Sequence, residues 1–307
     1  MRLPPGGVQH RLVDGDQEVI VTEAGATLRS YTTGDCPVVQ GFDEFEVCPG
    51  YRGQLLLPWP NRIGDGRYRF GDREHQLAID EPARGNAIHG LTRFASWVGE
   101  RVSPCQVEMH HRLLPSSGYP FCLDLTAVYA LDRSGLTVRI GARNVGGAPA
   151  PFGAGAHPYL QVGTPVIDHC RLSVPARTAL ITDGRGLPAG KVPVERTALD
   201  FMAPRSIAGA ILDTSYTDLI PGADGIVRVG LESPAGRRLV LWCEPGYRWL
   251  QIYSGDGLPS GERRQALAVE PMTCPPDAFR SGEDLLVLEP GQAFQAGWGI
   301  DVTGFRG

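Results

Sequence analysis

Lysine is almost missing from this chain of 307 residues: of 29 basic side chains only Lys191 is a lysine. A Schiff-base mechanism therefore has one candidate, and it sits among Gly and Pro in a predicted loop. The seven cysteines are odd in number and scattered, with no C-x-x-C pair, which excludes a disulfide framework and a zinc-ribbon pattern. They are expected to be free thiols. No apolar run is long enough to span a bilayer, and the N-terminal residues lack the apolar core of a signal peptide. No glycine-rich nucleotide loop and no metal-ligand cluster is written in the sequence, so neither a cofactor nor a metal is expected. A net charge of −5 gives no reason to expect nucleic acid or an anionic membrane as partner. Hydrophobic and charged shares of 42% and 21% are those of a soluble globular protein, expected here to be cytoplasmic.

What the chain has in abundance is Gly (40) and Pro (26), spread evenly, as suits many short strands joined by turns. Leu123, Leu125, Ala127 and Tyr129 fall on one face of a strand, and Leu136, Val138 and Ile140 on one face of the next. Asp132-Arg133-Ser134-Gly135 between them predicts an antiparallel hairpin. Further strands are expected at Glu18–Thr22, Ala26–Tyr31, Arg67–Phe70, Ile226–Leu231, Arg238–Trp242, Trp249–Tyr253 and Leu285–Glu289. Amphipathic helices of ten residues or more are not found. The expected architecture is all-β, a large antiparallel β-sandwich formed by one domain over residues 1–307.

Four segments place a polar or titratable side chain among apolar, Gly or Pro residues: Leu57–Ile63 with Asn61 and Arg62, Asn86–Gly90 with His89, Gly155–Tyr159 with His157, and Val269–Pro271 with Glu270. Partial burial raises a carboxyl pKa and a nearby guanidinium lowers it, which can leave Glu270 a reactive base. A histidine is readily tuned toward neutrality as a general acid, and Pro158 biases His157 to an extended backbone. Arg62 offers several fixed donors for sugar oxygens, or equally a loop anchor paired with Asp65 or another acid. In Trp249–Tyr253, Leu250 and Ile252 share an apolar face while Trp249, Gln251 and Tyr253 share the other. That second face suits either the floor of a sugar site or a water-exposed surface. The remaining histidines (His10, His75, His110, His111 and His169) sit in ordinary strand contexts.

The stretch L-P-W-P-N-R-I-G-D-G-R-Y-R-F-G with N-A-I-H-G-L-T-R over residues 57–93, then G-A-H-P-Y-L at 155–160 and V-E-P-M-T-C-P-P-D-A-F at 269–279, resembles the aldose 1-epimerase (mutarotase) family. The resemblance spans almost the entire chain and implies the large galactose mutarotase-like sandwich and a cofactor-independent interconversion of sugar anomers. It implies that Glu270 takes the C1 hydroxyl proton and that His157 protonates the ring oxygen. It implies that His89 and Arg62 bind the sugar near C1 and the ring oxygen; Asn61, Gln251 and Tyr253 are the further candidates for sugar binding. A hydroxyl-binding aspartate three places before an aromatic matches Asp213, ahead of Tyr216, with Asp218 as the alternative. Galactose-acting members have Asn-His-Thr and Glu-Thr-Gln where this chain has Ala156-His157-Pro158 and Glu270-Pro271-Met272. Those departures leave the proton-transfer groups in place and alter their neighbours.

A small-molecule sugar is thus the expected partner, bound by a monomer or homodimer. Three readings follow. The first is a mutarotase of a free aldohexose, and the second a hexose-6-phosphate 1-epimerase that would draw on Arg52, Arg67, Arg84 or Arg93. The third is a sugar sensor of the same fold without turnover, whose signature would be the loss of Glu270 or His157.

Overall fold

The strand of ten residues from Leu123 to Asp132 buries every second side chain, and Gly135–Asn144 pairs with it through the two-residue turn Arg133-Ser134. A computed structural model describes residues 3–305, and strands occupy each segment where alternation predicted one. The bounds move by a residue or two. The strand expected from Ala26 begins at Leu28, because Ala26 adopts a left-handed backbone (φ 48°) that no strand continues through. Lys191, expected in a loop, lies on an edge strand, Pro188–Pro193, where prolines at the two ends are tolerated; its ammonium pairs with Glu283. The described helices are one α-turn, Ala278–Ser281, and one 3₁₀ turn, Ile167–His169. All seven cysteines are unpaired.

Two antiparallel sheets, of twelve and nine strands, share one apolar core. Val19, Tyr31, Leu250 and Ile252 enter it from the larger sheet, and Leu125, Val138, Leu241 and Ile300 from the smaller. Tyr129 crosses the layers to donate its hydroxyl to the Ala26 carbonyl at 2.6 Å. Burial on this scale, at roughly 25 cal/mol per Å² of apolar surface, is the main term opposing chain entropy.

The larger sheet positions the site. In its middle, Leu267–Met272 runs between Tyr159–Leu160 and Trp249–Tyr253, and Asp213–Leu219 lies beyond the last. Leu267, Val269, Leu250 and Ile252 point into the core between the sheets. Because strand side chains alternate, Ala268, Glu270 and Gln251 project from the opposite face. That outer face is roofed by connections and carries its own small clusters, one of Tyr159, Ala266 and Ala268 and another of Leu180, Trp249 and Met272.

Candidate active site

A cavity of about 290 Å³ opens on this outer face. Its lining includes Glu270, His157, Arg62, His89, Asp213, Asn61, Gln251 and Tyr253, which the strands and their connections bring together there. Asp218, the alternative to Asp213, lies at the far end of the same strand and accepts the Thr178 hydroxyl at an exposed position. Of the Trp249–Tyr253 front face, Gln251 and Tyr253 reach the cavity. Trp249 instead packs with Leu180 and Met272 and donates its indole N–H to Asp284 at 2.8 Å.

The floor is a row set by strand register: Ser215 lies opposite Gln251, and Gln251 opposite Glu270. The Gln251 amide is oriented from both ends. Its Nε2 donates to Asp213 Oδ1 at 2.7 Å, and its Oε1 accepts the Ser215 hydroxyl. Arg62 and His89 arrive together because the first two motifs form one ribbon, with Arg62 opposite Ile88 and Gly64 opposite Asn86. Gly90 lies against Leu57, where a Cβ would stand 2.0 Å from the Leu57 carbonyl oxygen; only glycine fits at its φ of +76°. The His157 backbone is held by Gln54 and Gly53 (His157 N to Gln54 O 3.0 Å, Gly53 N to His157 O 2.9 Å). Gly153 and Gly155 serve close approach rather than a turn: a Cβ on Gly155 would lie 2.9 Å from Pro60 Cβ.

Glu270 is 2% exposed and His157 4%, and Oε1 of the first lies 3.3 Å from Nε2 of the second. Burial raises the Glu270 carboxyl well above its usual range; Asp213 adds to the rise and Arg62 opposes it. Burial lowers His157 to about 3, with its own backbone carbonyl opposing and Arg62 assisting. Both shifts disfavour charge on the pair, so burial favours the protonated carboxyl and the neutral imidazole. His157 stacks on Tyr159 (ring centroids 5.0 Å apart) and stands edge-on to His89 at 5.4 Å.

His89, Asn61 and Tyr51 all carry positive φ (60°, 54° and 61°), an uncommon backbone for side chains of this size. At His89 the cause is visible. The Asn61 N–H donates to Nδ1 at 3.2 Å while the His89 N–H donates to the Asn61 carbonyl at 2.9 Å. With Nδ1 accepting, the neutral ring carries its proton on Nε2, an assignment made from the hydrogen-bond network. Burial, then the neighbouring His157, Arg93 and Arg62, keep it neutral. His89, His157 and Glu270 bring possible ligand atoms within 4.8 Å of one another. A metal is nevertheless a poor fit, because neither His89 nitrogen has a lone pair to give.

Tyr51, Glu81 and Tyr159 line the cavity without having been assigned to it from the sequence, and Arg84 had been considered there only for a phosphate. Tyr51, Glu81 and Arg84 lie on connections without periodicity, and Tyr159 was masked by its neighbour His157 in the motif. Glu81 binds Arg62 side-on (Nε to Oε2 2.9 Å, Nη2 to Oε1 3.0 Å). The acid partner left open by the sequence is therefore Glu81, while Asp65 pairs with Arg185. Of the four arginines considered for a phosphate, Arg52, Arg93 and Arg67 are engaged by Glu262, Asp80 and Gln76. Arg84 lines the cavity, and its ion-pair contact there is a loose one, 3.9 Å to Glu81. Among the described residues no helix is long and apolar enough to cross a membrane.

Comparison with known proteins gives the family and the fold. The sequence profile of the family described as Aldose 1-epimerase matches residues 9–300. The uncharacterized protein YihR of Escherichia coli (strain K12) is 36% identical over 282 residues, covering 92% of this chain and 89% of that protein. Galactose mutarotase of Mus musculus is 28% identical over 239 residues, covering 69% and 66%. The crystal structure of the GalM/aldose epimerase homologue from C. elegans superposes with a TM-score of 0.86 at 19% identity, over 96% of this chain and 98% of that one, and shows the shared fold. The chain belongs to the aldose 1-epimerase family.

Proposed function

We propose that this chain is a cofactor-independent mutarotase that interconverts the α and β anomers of a free aldohexose. The observation that carries the reading is the buried Glu270–His157 pair, 3.3 Å apart on the floor of a cavity the size of a small ligand. The two oxygens of a cyclic hemiacetal share one carbon, so two neighbouring proton-transfer groups can serve both.

Ring opening needs a proton removed from the C1 hydroxyl and one delivered to the ring oxygen. Glu270 receives the first and His157 supplies the second, with the Nε2–H of His89 as a fixed donor nearby. Opening leaves a protonated carboxyl and a neutral imidazole, the distribution that burial favours. The environment therefore stabilises the pair in the form that accompanies the open-chain aldehyde. Rotation about C1–C2 and the reverse transfers close the ring on the other face. Asp213 and Gln251 read sugar hydroxyls, and Tyr253 and Tyr159 offer apolar faces to C–H bonds.

Polarimetry of freshly dissolved α-glucose with catalytic protein tests this reading. Acceleration toward anomeric equilibrium is the expected result, and its absence for glucose, galactose and other free aldohexoses sinks it. Arg84 favours a second reading within the same chemistry. A loosely paired guanidinium at the cavity wall suits a hexose carrying an anionic group far from C1.

A further inference from the structure

Arg62 does not present its fork to the cavity. Nε and Nη2 are taken by Glu81, which also accepts Asn86 Nδ2 at 2.8 Å. Burial pushes the Glu81 carboxyl up, but Arg62 and Asn86 outweigh it and hold the group ionised. Glu81 is itself held firmly. Its backbone exchanges hydrogen bonds with Asn86 (3.0 and 3.2 Å), and Arg185 clasps the carbonyls of Arg84 and Gly85 at 2.9 and 2.8 Å. At the other end of the guanidinium, Nη1 donates to Asn61 Oδ1 at 3.3 Å. The Asn61 N–H then fixes His89 Nδ1. A single hydrogen-bonded chain thus runs from Asn86 through Glu81, Arg62 and Asn61 to His89.

Resting on the epimerase reading of the cavity, we propose that Glu81 is a positioning residue that acts through Arg62, holding the guanidinium off Glu270 and Asp213 and keeping Asn61 and His89 in place. The acids besides Glu81 that act on Arg62 are Asp213 and Glu270. A buried guanidinium deprived of its partner pairs with the nearest acid it can reach. Here that acid is one the sugar needs. Glu81 also cancels the Arg62 charge locally. The groups facing Glu270 are His157, Arg62, Asp213 and Tyr159, and Arg84 is the second cation beside Glu81.

The experiment compares wild type, Glu81→Gln and Glu81→Asp by mutarotation across pH and by ¹⁵N NMR of the histidine side chains. Glu81→Gln leaves Arg62 and Arg84 uncompensated, which favours loss of the proton shared by Glu270 and His157. The alkaline limb of kcat/KM then moves to lower pH by roughly one unit, and kcat/KM at neutral pH falls about tenfold or more. The ¹⁵N shifts of His89 move from a pure Nε2–H tautomer toward a mixture. Glu81→Asp keeps the charge one methylene short; its alkaline limb stays in place while kcat falls, and it carries the test if Glu81→Gln does not fold. A Glu81→Gln profile that superimposes on wild type, with kcat/KM within about twofold, overturns the proposal, as does an unchanged kcat in Glu81→Asp. If wild type turns over no sugar, the epimerase reading fails on its own. The ¹⁵N comparison still decides whether Glu81 governs His89, and an unchanged tautomer in Glu81→Gln overturns that part.

Discussion

Glu270 Oε1 and His157 Nε2 face each other at 3.3 Å with both side chains almost sealed from solvent. A carboxyl and an imidazole in that position exchange one proton without changing the net charge of the site. Substituting Glu270 by Gln keeps the shape and ends the exchange. The expected loss in kcat/KM is about 10²–10⁴-fold. Burying an ionisable group costs stability, so the melting temperature of Glu270→Gln should not fall below wild type. Polarimetry and thermal unfolding of one preparation check both. Near wild-type turnover in this variant would remove Glu270 from the mechanism.

The pH profile follows from the two opposed shifts. His157 takes up a second proton only toward about pH 3, and the Glu270 carboxyl releases the shared one only well above its usual range. Activity that needs one proton on the pair is then flat through mildly acidic and neutral pH. It is lost on the alkaline side as Glu270 deprotonates with His157 already neutral. A kcat/KM profile measured from pH 4 upward reads this. An acid limb near the ordinary histidine value of about 6.5 would contradict it.

Arg84 separates the two substrate readings. If the substrate is a neutral aldohexose, Arg84→Gln changes kcat/KM on glucose by less than about threefold, as expected for a loosely held surface cation. If the substrate is anionic, wild type prefers glucose 6-phosphate or a 6-sulfonated hexose to glucose, and Arg84→Gln removes that preference. Competition between the two sugars for the same enzyme gives the ratio directly.

Gly90 tests how the first two motifs are joined. A methyl group there meets the Leu57 carbonyl and must adopt a left-handed backbone. Gly90→Ala is expected to cost about 1–3 kcal/mol or more, read as a fall in melting temperature. Activity should drop beyond what unfolding explains, because His89 is the preceding residue.

Much of this was legible in the sequence, for reasons that differ by residue. Leu123–Asp132 shows its burial through period-two alternation, and the Arg133-Ser134 turn follows from the residues flanking it. Glu270 was conspicuous because Ala266–Val269 before it is buried on both faces, which makes an isolated carboxylate costly and hence purposeful. Arg62 was found, yet its partner was not. Glu81 lies nineteen residues away, on a loop whose path depends on backbone hydrogen bonds to Asn86 and on Arg185, and no local pattern encodes that meeting. Trp249 was placed on the correct face of its strand, but the strand runs beyond the cavity wall and carries its first residue out of the site.

Asp213, Gln251 and Glu270 come from three adjacent strands whose spacing the ladder sets at roughly 4.8 Å. Tyr51, Glu81, Arg84 and Leu258 line the same cavity from connections. Exchange at Tyr51, Arg84 or Leu258 leaves the pairing of those three strands undisturbed, whereas Glu81 is tied through Arg62 and Asn61 to His89. The molecule therefore divides heritable change into two compartments. One is the strand floor with the groups that position it, Glu81 among them; the other is the remaining rim, where the shape of the cavity can change while the floor stays as it is.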